Sequence, residues 1–242
     1  MNRAYHKWFS TALQRDMELL AFGDRGKKVL FFPTRRAHFY DYENWGVISA
    51  LTHQIESGQL HVICVDSIDA ESFYSHTLSP GDRIIRHMQY EKYILEEVIP
   101  FVNKQNQSKH TMVAGCSLGA YHALNLAFRF PHLFEKAVGM SGRYDLTQAM
   151  GTFRDLFHGY VDENVYLNMP NRYIPHLFDL EYLEAIRKLK IILAVGETDA
   201  FLEDNRFLSQ TLIEKGINHE FNIWSGEAHN PDQWKQMVQL YF

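Results

Sequence analysis

Only two cysteines occur in the 242 residues, Cys64 and Cys116, and each lies inside an apolar run. That excludes a disulfide framework and a thiolate metal site. No stretch reaches the about 18 consecutive apolar residues of a membrane span. The opening MNRAYHKWFSTALQRDMELL also lacks the continuous apolar segment and small-residue cleavage site of a signal peptide. The expectation is a soluble, cytoplasmic protein without a membrane partner. Blocks of like charge are missing too: 24 basic and 29 acidic residues are interspersed, for a net charge of -5, which argues against nucleic acid as a partner. Internal repeats, low-complexity tracts, Pro/Gly/Ser linkers, a phosphate loop, a GxGxxG fingerprint and Cys/His ligand spacings are all absent. Neither a cofactor nor a metal is therefore expected, and nothing signals an oligomeric state.

What is present is an apolar chain, 46% hydrophobic and 14% aromatic, able to bury a large core as one domain over residues 1–242. Residues 4–10 and 14–22 alternate polar and apolar side chains, the pattern of an antiparallel pair with one covered face. KKVLFFP (27–33) and LHVICVD (60–66) read as buried strands, with a helix expected between them over WGVISALTHQIESG (45–58). A further helix is expected from about 83 to 103, then a strand from Thr111. Strands follow at 136–142, 190–197 and 219–226, with helices at about 203–215 and 232–241. Strands alternating with helices imply an α/β fold: a mostly parallel central sheet with helices on both faces, opened by an antiparallel hairpin.

Within that pattern the stretch TMVAGCSLGAYHALNLAFRF places one Ser between two glycines, after a strand and before a helix. Strand, GxSxG, helix is the arrangement of a nucleophile elbow, in which Ser117 takes strained backbone angles and projects its hydroxyl above the sheet. Gly115 and Gly119 leave room for the tight turn, and the helix start brings N–H groups and a positive dipole end to the hydroxyl. The blander reading is a small-residue turn before a helix.

A serine hydroxyl needs a general base, and the base needs an acid to fix its tautomer. Such groups belong at the carboxyl ends of the strands. Asp199 follows the strand IILAV in GETDAF, with Glu197, Glu203 and Asp204 as rivals. His229 follows FNIW in SGEAHNPDQW, and of the 13 histidines it is the one in a turn-rich segment after the last strand. His122, one turn past Ser117, reads as a packed or solvated helix residue.

GCSLGAYHALNLAFRFP, VGETDAFLEDNRFLSQTLIEKGINH and WSGEAHNPDQW resemble the α/β-hydrolase superfamily. More narrowly, they are similar to the esterase family of S-formylglutathione hydrolases, feruloyl esterases and mycolyltransferases. The resemblance spans nearly the whole chain. It implies Ser117 as nucleophile, Asp199 as orienting acid, His229 as base, and a small-molecule ester as substrate. It also marks FFPTRRAHFYDYENWG as the loop holding the second oxyanion donor. There the sequence departs from its relatives: many carry His-Gly, whereas this chain has Pro33-Thr34-Arg35-Arg36 and no glycine before Gly46. One donor is expected at the backbone N–H of Leu118, the other at that of Thr34 or Arg35. Arg35 and Arg36 are either a solvated turn or positive charge at the rim for an acidic substrate.

Two segments are candidates for shaping the pocket. Asp66, Ser67, Glu71 and Tyr74 leave a strand near the carboxyl edge, as substrate contacts or as loop caps. Residues 143–185, which include Tyr160, form an insertion that reads either as a lid or acyl pocket or as ordinary helical packing. The expected activity is carboxylic ester hydrolysis through an acyl-enzyme. The alternatives are acyl transfer to an alcohol, which an apolar acceptor channel would favour, and a non-catalytic binding protein, which a blocked or flooded pocket would favour.

Overall fold

The computed structural model describes every residue from Met1 to Phe242. Eight strands form one sheet: β1 (Arg3–Ser10), β2 (Arg15–Phe22), β3 (Lys27–Phe32), β4 (Leu60–Val65), β5 (Thr111–Cys116), β6 (Lys136–Met140), β7 (Lys190–Gly196) and β8 (His219–Trp224). Their spatial order is β1-β2-β4-β3-β5-β6-β7-β8. The pairs β1·β2 and β2·β4 are antiparallel and all others parallel, so the sheet is mostly parallel with an antiparallel opening hairpin, as the sequence pattern predicts. β4 and β5 are buried along their whole length, because helices cover both faces. Burying side chains such as Met112 and Val113 there contributes roughly 1.5–3 kcal/mol each. No helix is long and apolar enough to cross a membrane.

Three elements depart from expectation, each for a local reason. The helix expected over 45–58 is only a 3-10 turn, Ser49–Leu51, followed by Thr52–Glu56. Gly46 at φ 74 holds the chain out of helical geometry, and Gly58, also at φ 74, ends it. The helix expected from about 83 begins earlier, at Pro80, where Ser79 caps it by accepting the Asp82 N–H. It then widens into a π-helical stretch, Ile94–Val98, before Ile99–Gln105. Pro100 cannot donate to the carbonyl four residues back, and the wider turn accommodates it. Finally, β2 alternates only in its first half, and its last four residues are all buried, because β2 lies inside the sheet between β1 and β4.

β5 sits centrally, between β3 and β6. The carboxyl ends of β3, β5, β6, β7 and β8 therefore open onto one edge, and the segments that follow them build the site.

Candidate active site

Ser117 stands between β5 and the helix Leu118–Arg129 at φ 56, ψ -121, a conformation that costs a non-glycine residue of order 1–3 kcal/mol. Packing on both sides imposes it. A Cβ on Gly115 would lie 2.1 Å from the carbonyl carbon of Gly119, and a Cβ on Gly119 would lie 2.1 Å from the carbonyl oxygen of Phe32. The helix can thus approach β3 only with glycine at both positions. The Ser117 N–H donates to Met140 O at 2.8 Å, which anchors the turn to β6. Its hydroxyl makes no hydrogen bond within the chain, and the residue stays 9% exposed. The N–H of Leu118, at the first helical position, has no acceptor in its own helix.

His229 and Asp199 meet at the ends of neighbouring strands. Nδ1 of His229 is 2.9 Å from Oδ2 of Asp199, and the other carboxylate oxygen accepts the Phe201 N–H at 2.9 Å. An ionised carboxylate only accepts, so the Nδ1–H is the donor in this pair. The Asp199 side chain is 2% exposed and that of His229 15%, so the carboxylate is sealed and the imidazole open. Phe201 and Trp234 flank the imidazole, with ring centroids at 5.5 and 5.8 Å.

The loop carrying His229 is fixed from below. Ser141 Oγ donates to Ala228 O at 2.8 Å and accepts from Trp234 Nε1 at 3.2 Å. A Cβ on Gly196 would lie 1.9 Å from Glu227 O, so β7 must end in glycine for this loop to lie against it. The rival acids are otherwise engaged. Glu197 accepts from the Gly226 N–H and from Ser225, and these hydrogen bonds hold its carboxyl below the usual range. Glu203 pairs with Arg206. Asp204 is buried and accepts from the Tyr144 N–H and from Asn171.

The loop after β3 is held by hydrogen bonds at several points. Tyr42 donates to Phe32 O at 2.8 Å and accepts the Cys116 N–H at 3.0 Å, joining the ends of β3 and β5. The Arg36 N–H donates to Asp69 Oδ2 at 3.3 Å, and Asp69 Oδ1 faces His122 Nε2 at 3.2 Å. His122 is 4% exposed, so of the two readings the sequence leaves open, packed or solvated, it is the packed one. Asp69 was missed by the sequence reading, since nothing local distinguishes it from Asp66. The N–H groups of Thr34 and Arg35 have no acceptor among the loop's backbone hydrogen bonds; Thr34 is buried and Arg35 exposed.

The remaining candidates scatter. Asp66 accepts from the Phe39 N–H and faces His38 Nδ1, while Ser67 donates to Ala37 O, so both cap the loop after β3. Glu71 pairs with Arg15 and Arg86. Tyr160 is exposed, donates to Asp162 and lies over Gly81, away from the triad pair. Tyr74 lines a cavity of about 510 Å3 together with Phe153 and four arginines. Within the 143–185 insertion, Phe153 packs on Phe201 at 4.6 Å and stacks toward His229 at 6.5 Å. No group of three or more His, Cys, Asp or Glu side chains converges as metal ligands do.

The central parallel sheet, the strained serine after β5 and the acid–imidazole pair after β7 and β8 define an α/β-hydrolase fold. The model of the family described as "Putative esterase" matches residues 41–235, and the chain belongs to that esterase family. It is a carboxylesterase-type serine hydrolase. Similar solved structures include a ferulic acid esterase, with TM-score 0.79, 16% identity, and 99% of this chain and 95% of that one covered. The fluorophosphonate-binding serine hydrolase F of Staphylococcus aureus has TM-score 0.74 and 18% identity, covering 99% and 96%. An S-formylglutathione hydrolase from Agrobacterium tumefaciens has TM-score 0.74 and 13% identity, covering 98% and 91%. A search of curated protein sequences finds no match.

Proposed function

We propose that the protein hydrolyses a small-molecule carboxylic ester through an acyl-enzyme on Ser117, with His229 as general base and Asp199 as orienting acid. The observation that carries this reading is the 2.9 Å pair between Asp199 Oδ2 and His229 Nδ1, on the sheet edge where the strained Ser117 interrupts β5 and its helix. Ser117 attacks the ester carbonyl as His229 Nε2 takes its proton. Asp199 stabilises the resulting imidazolium, and His229 returns the proton to the leaving group. The tetrahedral oxyanion forms against the Leu118 N–H and the N–H of Thr34 or Arg35, donors aimed at charge that develops in the transition state. Water, activated by the same histidine, then cleaves the acyl-enzyme.

The Ser117 hydroxyl has no partner in the free protein, and bound substrate draws it into line with Nε2, as catalytic hydrogen bonds tighten on complex formation. The cavity lined by Phe153, which stacks toward His229, is rich in arginine, and a charged, hydrated lining of this kind favours water over an apolar alcohol as the second substrate. Replacement of Ser117 or His229 by Ala tests the reading: kcat for a 4-nitrophenyl ester falls by about three or more orders of magnitude with the fold retained. Near-wild-type turnover in His229→Ala would show that another group is the base.

A further inference from the structure

Arg35, Arg36, Arg143 and Arg154 line the cavity of about 510 Å3, and no carboxylate lines it with them. The chain's arginine–carboxylate pairs are all made elsewhere. Positive charge is not a general property of this molecule, whose net charge is -5, so a concentration of unpaired guanidinium groups in one concavity is specific to the site.

Arg143 is the strongest element. It is 3% exposed, yet it has no anionic partner. Its Nε donates to Asp145 O, and Nη2 donates to the carbonyls of Leu146, Gln148 and Arg154. Nη1 has no acceptor within the chain. The hydrogen bonds of Arg143 all go to neutral carbonyls, and the Asp145, Asp155 and Asp204 carboxylates act on it only from beyond ion-pair distance, so Nη1 is left to pair with an anion that enters the cavity. The carbonyl of Arg154 anchors Arg143, so the two residues are fixed relative to each other across the cavity wall.

The cavity adjoins the catalytic edge. The Arg35 guanidinium lies 5.8 Å from the ring centres of both Tyr74 and Phe153, and Arg36 lies 5.6 Å from Tyr74. Phe153 in turn stacks toward His229. One aromatic ring therefore separates the arginine cluster from the base, and Arg35 belongs to the loop that supplies the second oxyanion donor. The volume suits a small molecule rather than a polymer.

We infer that the ester carries an oxyanion, phosphate or carboxylate, on a part that does not react, and that Arg35, Arg36, Arg143 and Arg154 hold it so that the ester carbonyl falls between Ser117 and His229. This rests on the acyl-enzyme reading for the position of the carbonyl. Guanidinium forks match the geometry of carboxylate and phosphate oxygens, and a concave positive site also raises the local concentration of anionic substrate.

The test compares matched esters on the whole protein. In the carboxylate arm, the 4-nitrophenyl monoester of glutaric acid is set against 4-nitrophenyl butyrate. In the phosphate arm, the acetate ester of 3-hydroxypropyl phosphate is set against propyl acetate. At low salt kcat/KM favours the anionic member of at least one arm by about ten- to hundredfold, and the arm with the larger preference names the oxyanion. That ratio collapses toward one in Arg36→Gln/Arg154→Gln, chiefly through KM, and shrinks with added salt. A ratio near one in both arms for the wild type, or a preference untouched by the double variant, overturns the inference. Titration of inorganic phosphate into Ser117→Ala separates this from the reaction itself. Binding that weakens with Arg36→Gln/Arg154→Gln supports the anion site even if Ser117 proves not to be the nucleophile, and the absence of binding together with flat ratios removes the site while leaving the triad reading intact.

Discussion

His122 Nε2 lies 3.2 Å from Asp69 Oδ1, while the second oxygen of that carboxylate accepts the backbone N–H of Arg36. One buried side chain thus ties the helix that follows Ser117 to the loop after β3, which on the proposed reading supplies the second oxyanion donor. On the proposed reading Asp69 touches no reacting atom but sets the distance between Ser117 and the loop after β3. Asp69→Ala is expected to lower kcat for a 4-nitrophenyl ester by about ten- to a hundredfold with a smaller change in KM, and to cost roughly 1–3 kcal/mol for the orphaned His122. Asp69→Asn, which keeps an acceptor for Arg36, restores part of kcat. Equal losses of stability in both variants with kcat unchanged would reduce Asp69 to a packing residue.

Gly119 tests the elbow from its packing. A methyl group there meets Phe32 O at 2.1 Å, and neither backbone can yield without moving Ser117 or the loop after β3. Gly119→Ala is predicted to lose about 1–3 kcal/mol in urea unfolding and most of its esterase activity. Full activity in this variant would mean that the helix can withdraw from β3, and that the close approach is not required.

Cys116 adjoins Ser117 but turns the other way. It is fully buried in the core between the sheet and its covering helices, and burial pushes its thiol well above the ordinary range. Thiolate is the reactive form, so iodoacetamide leaves the native enzyme active and Cys116→Ala retains turnover. Rapid inactivation with alkylated Cys116 would contradict this placement.

Asp204 makes stability depend on pH. Burial raises its carboxyl to about 7. Below about pH 4 the folded and unfolded chains both hold the proton. As pH rises the unfolded chain releases it first, so the native state binds more protons and stability falls until about pH 7. Urea midpoints measured across that window in wild type and Asp204→Asn give the check: the variant has the shallower decline. Parallel curves would assign the pH dependence to other groups.

The strands were legible because β3, β4 and β5 are buried on both faces and so read as unbroken apolar runs. Asp199 and His229 are candidates from the sequence because each follows an unmistakable strand, and the structure brings the two side chains together at 2.9 Å. The failures have equally physical causes. Gly46 breaks the helix expected over 45–58 through a positive φ, which a hydrophobic pattern does not encode. Asp69 and His122 are 53 residues apart and meet only once the sheet is folded. Arg143 and Arg154 looked like ordinary members of an insertion; their relation to Arg35 and Arg36 appears only when the chain from β6 returns over the loop after β3.

The most direct measurement is the site of acylation during turnover. The protein is mixed with a 4-nitrophenyl ester, quenched in acid within milliseconds to seconds, digested, and the peptide spanning Thr111 to Arg129 is fragmented by mass spectrometry. An acyl group on Ser117, accumulating as the nitrophenol burst develops, absent from Ser117→Ala and forming far more slowly in His229→Ala, is the predicted result. An acyl group on Cys116 or on any other residue, or undiminished turnover by Ser117→Ala with no acylated peptide, contradicts the account.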